Sequence, residues 1–206
     1  MSTYLRELIL LTLLALLAAC GGKPQPEPEP VVVEAEAAEA VVEPEPVDIH
    51  QERYEQALEL LRQADTETAL VMLEQLRVDA PEKPRLFTNL GLAYFSLDRS
   101  EAAEAAFNEA INRDATDAVA HNHLGILKRR EGHFEAALER YQRAIQIDAR
   151  YASAHLNLGI LFDLYLQDLE MALQHYQVYR SLNADDNPQL DGWIVDIQRR
   201  LKTATS

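Results

Sequence analysis

The sequence predicts an all-α fold: an α-solenoid of about four helix pairs, closed by a C-terminal capping helix and preceded by a disordered tether. Three observations carry this prediction. Leucine-glycine steps return every 34 residues, at Leu90-Gly91, Leu124-Gly125 and Leu158-Gly159. Near the C-terminus, Leu190, Trp193, Ile194, Ile197 and Leu201 recur at helical spacing and form one apolar stripe. Six of the nine prolines fall within residues 23–49, where proline removes amide donors and fixes a dihedral that helix and sheet interiors cannot use.

From the N-terminus, Leu8–Ala19 is a run of twelve uncharged residues. A bilayer-spanning helix needs roughly 20, whereas this length suits the apolar region of a secretory signal peptide. The stretch Leu17-Ala18-Ala19-Cys20 resembles the processing motif of bacterial lipoproteins. That resemblance implies cleavage before Cys20, acylation of Cys20 and a mature chain beginning there. Gly21 stands where an aspartate often retains such proteins at the inner membrane, so the resemblance implies an outer-membrane location facing the periplasm. Each buried acyl methylene contributes about 0.8 kcal/mol, so several chains hold a protein firmly at a membrane surface.

Residues 23–49 follow with eight acidic side chains against one lysine. Alternating Pro-Glu favours an extended, solvated chain, which at ~3.1 Å per residue reaches roughly 80 Å. The predicted organisation is therefore a signal peptide at 1–19 and a tether with its lipid anchor at 20–49. Four repeats follow at 50–83, 84–117, 118–151 and 152–186, with a capping helix and tail at 187–206.

Composition narrows the function. A formal net charge of −15 over 206 residues argues against nucleic acid, which requires clustered Lys and Arg. A single cysteine excludes an intramolecular disulfide and any multi-cysteine metal site.

The repeats carry further matches. After Gly91 come Tyr94, Ala103, Phe107 and Ala110; after Gly125 come Ala137, Tyr141 and Ala144. Residues 50–83 keep Ala57, Leu60, Ala69, Leu73, Leu76 and Pro81 at compatible spacing without the glycine, and 152–186 hold one extra residue before Ala172. This pattern resembles the tetratricopeptide repeat. Small residues let paired helices approach while larger apolar ones fill the space around them. Asp65, Ser100 and Gly132 mark starts of second helices, Asp and Ser being good N-caps. Asn187 with Pro188 starts the capping helix, and Trp193 is expected to pack on the fourth repeat.

No phosphate loop, Ser-His-Asp signature or zinc-protease motif is present. His121, His123 and His155 are the candidate acid-base or metal residues, with Asp163 as a carboxylate. His121 and His155 sit one repeat apart, ~10 Å for stacked helices, too far for shared coordination at ~2.1 Å. No metal and no cofactor beyond the covalent lipid at Cys20 are expected.

In tetratricopeptide proteins the first helices line a groove that holds protein or peptide partners. By that resemblance the groove here comprises Arg85, Thr88, Asn89, Leu92, Phe95, Asn122, His123, Ile126, Arg129, Asn157, Ile160 and Asp163. Leu92, Ile126 and Ile160 would form an apolar track with a polar border. Lys128-Arg129-Arg130 is a basic cluster that could attract an acidic partner. The implied function is a non-enzymatic scaffold or assembly factor for an envelope machine, first of all type IV pilus biogenesis or secretin assembly. An adaptor for peptidoglycan enzymes or an accessory of a TonB-type energy system fits the same resemblance. A cell-wall hydrolase would instead need a polar cleft of acid-base residues. Oligomeric state is left open.

Overall fold

The computed structural model describes residues 48–183 and 187–204. The predicted signal peptide, Cys20 and nearly all of the tether lie outside the described residues. Within them all regular structure is helical: α1 (Ile49–Arg62), α2 (Thr66–Asp79), α3 (Leu86–Ser96), α4 (Ser100–Arg113), α5 (Ala118–Arg130), α6 (Phe134–Ile147), α7 (Ala152–Leu161), α8 (Leu169–Leu182) and α9 (Pro188–Ala204). The pairs α1/α2, α3/α4, α5/α6 and α7/α8 stack in chain order, and α9 closes on α8.

Side-chain caps start most of the helices. Asp48, Asp65, Asp117, Asp168 and Asn187 accept from first-turn amides of α1, α2, α5, α8 and α9, each satisfying a donor with no intrahelical partner. Ser100, expected as a cap, is instead the first residue of α4; Arg99 holds the cap position without a side-chain bond. Each turn between paired helices contains one left-handed residue: Ala64 (φ 61°), Asp98 (φ 56°), Gly132 (φ 82°) and Gln167 (φ 58°). Only one of the four is a glycine, the residue that adopts this conformation without strain.

The repeated glycines have a packing role. A Cβ on Gly91 or Gly125 would stand 2.5 Å from the ring of Phe107 or Tyr141, and one on Gly159 would strike Tyr176 in the same way. These aromatic rings are fully buried and lie directly on the backbone of the facing helix. In the first repeat, Ala57 and Leu73 hold the corresponding places, both fully buried.

The ends of the stack differ from its middle. Leu86, Leu90 and Ala93 of α3 pack against the preceding pair, and their counterparts in α5 and α7 are equally buried. In α1 the same positions are Glu52, Gln56 and Glu59, all exposed. At the other end Leu190, Ile194 and Ile197 of α9 are buried on the fourth repeat. Trp193 lies against Tyr176 with ring centroids 5.6 Å apart, as the sequence led one to expect.

The extra residue of the fourth repeat appears as a π-helical turn, Phe162–Leu166, at the end of α7. Such a turn absorbs a one-residue insertion without breaking the helix. It leaves Leu164 64% and Tyr165 41% exposed.

Candidate functional site

The first helices contact one another directly, α3 with α5 and α5 with α7. The second helices are held apart by the first helix of the next pair, so the first helices form the inner face of the stack. Eleven of the twelve sequence-predicted groove residues lie on these first helices or at the start of α3, and Asp163 falls in the π-helical turn that follows α7.

At the N-terminal ends of the first helices the inner face is a hydrogen-bonded ladder. The Tyr54 hydroxyl donates to the Pro84 carbonyl (2.7 Å) and accepts from Asn89 Nδ2 (2.7 Å). Thr88 donates its hydroxyl to the Asp117 carboxylate, whose other oxygen caps α5 at the Ala120 amide (2.9 Å). Asn157 Nδ2 donates to Asn122 Oδ1 (3.0 Å). Thr88 and Asn122 are each only 1% exposed. They therefore organise the ladder from beneath, while Asn89 and Asn157 reach the surface.

His123 joins this framework rather than standing free. Its Nδ1 faces the Val119 carbonyl at 2.9 Å, and since a carbonyl only accepts, that nitrogen carries the proton. The ring stacks on Phe107 (5.3 Å) and meets Phe95 edge-on (5.4 Å). Burial pushes its pKa below the ordinary imidazole value, which favours the neutral ring.

Towards the C-terminal ends of the same helices the face becomes apolar. Leu92, Phe95, Ile126 and Ile160 are half-buried there. The basic cluster is split among different partners. Lys128 pairs with Glu104 (2.7 Å) and Glu131 (2.9 Å). Arg130 lies over the Phe95 ring (4.5 Å) and reaches Asp98 (3.4 Å). Arg129 keeps no carboxylate; its Nε donates to the Tyr141 hydroxyl (3.3 Å). Asp163, only 11% exposed at its side chain, is taken by Arg200 of α9 at 2.9 Å. The capping helix thus closes the groove at the fourth repeat, a contribution across 37 residues that spacing in the sequence did not reveal.

The histidine suspects do not converge. His155 Nε2 donates to the Ala149 carbonyl (3.2 Å), so its Nδ1 is an acceptor, and His175 Nδ1 donates to it at 3.0 Å. Burial first, and then the His155 charge, push the His175 pKa down to about 4. His121 is 5% exposed and its ring nitrogens fall short of hydrogen-bond geometry, with the Ala115 carbonyl as the neighbouring acceptor. Burial first, and then the Arg140 charge, lower its pKa. Among the described residues no three metal-ligating side chains come together. His175, the actual partner of His155, was missed in the sequence because it lies on the second helix of the pair, at a place where the preceding repeat carries Arg140 and no histidine.

Ladder, apolar track and inner curvature define a helix-pair solenoid with an elongated inner face, the geometry that repeat proteins use to hold extended partners. The family described as "Tetratricopeptide repeat" matches residues 54–118, and that described as "TPR repeat" matches residues 127–164; the chain carries tetratricopeptide repeats. No curated protein matches it. Among solved structures it is similar to pilF of Pseudomonas aeruginosa, at 20% identity and a TM-score of 0.65 over 75% of this chain and 69% of that one. A thermophilic TPR protein of Thermus thermophilus matches at 18% identity and TM-score 0.60, over 74% and 82% of the two chains. YrrB, described as a TPR protein with an unusual peptide-binding site, matches at 19% identity and TM-score 0.57, over 73% and 75%. At these identities the likeness is one of fold.

Proposed function

We propose that this chain is a lipid-anchored scaffold of the bacterial envelope, presenting its repeat groove to the periplasm as an assembly factor without catalytic activity of its own. The observation that carries the reading is the inner face itself. A half-buried aliphatic track through Leu92, Ile126 and Ile160 lies beside a ladder whose polar groups already satisfy one another. That surface suits an extended apolar peptide or an amphipathic helix better than a reacting substrate, since its histidine, His123, is committed to the backbone and to aromatic rings.

The motif Leu17-Ala18-Ala19-Cys20 supports acylation and outer-membrane attachment, with the acidic Pro-rich stretch as a spacer. Within the envelope, type IV pilus biogenesis or secretin assembly is the machine we favour, in keeping with the fold shared with pilF.

Two measurements test the proposal. Cys20→Ala should move the protein from the membrane to the soluble periplasmic fraction; a variant that still fractionates with membranes refutes the anchor. Leu92→Glu with Ile126→Glu should abolish capture of crosslinked partners while leaving far-UV helicity intact. Unchanged capture by the folded double variant refutes the groove.

A further inference from the structure

We infer that His155 and His175 form a two-coordinate site for a monovalent soft cation, copper(I) or silver(I), held between their Nδ1 atoms on α7 and α8. Sequence spacing pairs His121 with His155 and gives no metal site, but the structure sets a different imidazole opposite His155. The two Nδ1 atoms are 3.0 Å apart and the ring centroids 5.3 Å apart. One ring radius at each end accounts for that difference. Both nitrogens therefore lie on the line joining the rings, and their in-plane axes point at one another. His155 Nε2 donates to the Ala149 carbonyl at 3.2 Å. That contact is of the kind that fixes the tautomer and orientation of metal-bound imidazoles, and it leaves the His155 Nδ1 lone pair turned towards His175.

The donor set selects the ion. Among the described residues no third His, Cys, Asp or Glu joins the pair. Zinc takes four ligands in a tetrahedron, and copper(II) and nickel(II) take tetragonal sets with ligands at right angles. Two neutral nitrogens on one line offer neither arrangement. Copper(I) and silver(I), with filled d shells and a single charge, favour two donors opposite one another. An imidazole–metal bond of ~2.0 Å needs nitrogens ~4 Å apart, so the pair opens by about 1 Å on binding. His155 is anchored through Ala149, so the movement falls to His175, which is half-buried. His175 stacks within 6° of parallel on the Phe162 ring at 5.8 Å, a face along which an imidazole can slide. Binding moves the His175 proton from Nδ1 to Nε2, so the ring stays neutral and no net proton is released. In the third repeat the matching places hold His121 and Arg140, and a guanidinium cannot ligate, which supplies an internal control.

The test is competition for copper(I) against a chromophoric chelator, under reducing and oxygen-free conditions. It uses the full-length chain carrying Cys20→Ser, which removes its only thiol. The expected result is one copper(I) per chain, displaced by silver(I). His155→Gln and His175→Gln should each weaken binding about a hundredfold, while His121→Gln leaves it unchanged. A second measurement needs no substitution at the site: nitrogen NMR of histidine-labelled protein titrated with silver(I). Two Nδ1 signals should move together, and the His175 ring should change tautomer. Copper(I) held equally well after either glutamine substitution, or silver(I) that moves neither Nδ1 signal, overturns the site. Zinc or nickel(II) bound at these rings as tightly as copper(I) overturns the linear assignment. Absence of any binding overturns the inference and leaves the pair as a hydrogen bond alone.

Discussion

The first and third repeats close the same helix-helix contact with opposite allocations of volume. In the third, Gly125 lies under the ring of Tyr141, and a methyl there would stand 2.5 Å from it. In the first, Ala57 faces Leu73, and both are fully buried. The side chain removed from one helix is restored on the other, so the interhelical space is filled in both cases at the density protein interiors require. The first repeat also turns an exposed row of Glu52, Gln56 and Glu59 outward where the third buries Ala120, Leu124 and Leu127. A repeat flanked on both sides needs two apolar faces, whereas a terminal one needs a polar outer face to stay in solution.

The largest effect should come from breaking that reciprocity. Gly125→Ala is expected to destabilise the protein by about 3 kcal/mol in chemical denaturation, because overpacking against a fixed ring forces backbone or rotamer shifts. Tyr141→Leu alone should also destabilise, by cavity formation. The double variant, which rebuilds the Ala57/Leu73 arrangement inside the third repeat, should recover a large part of the loss. Double-mutant coupling near zero would show that the two positions do not exchange volume.

A second contrast separates the fourth repeat from the others. Its helices are joined by the His155–His175 hydrogen bond, in which His175 keeps a folded pKa of about 4 against an ordinary value near 6.5. The unfolded chain therefore binds a proton that the folded one refuses, so this contribution is fully present above about pH 6.5 and declines as pH falls towards 4. With the partial exposure of His175 taken into account, the loss should be about 2 kcal/mol. His121 and His123, both shifted downward mainly by burial, act in the same direction. His175→Phe should flatten the stability profile between pH 6.5 and 4, with its ring placed on Phe162, which His175 already stacks upon at 5.8 Å. An unchanged slope would assign the effect to the other histidines.

The smallest effects concern the four turns. Ala64→Gly and Gln167→Gly should each stabilise by about 1 kcal/mol, because both residues sit at positive φ, where a Cβ is unfavourable. Gly132→Ala should cost a similar amount. A thermal-melt series in which all three changes are neutral would mean that the turns tolerate strain equally.

The legibility of this molecule in its sequence was uneven. The 34-residue return of Leu90, Leu124 and Leu158 and the stripe from Leu190 to Leu201 announced the helix pairs and the lid. Burial periodicity is a one-dimensional property, and every copy repeats it. The shared face of Leu92, Ile126 and Ile160 was legible for the same reason, since residues that follow the repeated glycines must line up. By contrast, Lys128-Arg129-Arg130 reads as one basic cluster, yet Glu104, Glu131 and Asp98 leave only Arg129 without an ion pair. Lys128–Glu131 follows from i,i+3 spacing, but Lys128–Glu104 and Arg130–Asp98 depend on a long side chain crossing to a neighbouring element, a choice no spacing rule encodes.

The sequence by itself determined the all-helical stack, its period, the Asp65 and Asn187 caps, and the polar first and apolar last faces, because these follow from side-chain size and polarity at fixed helical intervals. The tertiary structure alone decided that His155 meets His175 rather than an equivalent histidine, that Arg200 seals Asp163, and that a thirty-fifth residue becomes a π-helical turn. Those outcomes are set by rotamers and helix offsets across packed interfaces, where a displacement of a few ångströms exchanges one partner for another.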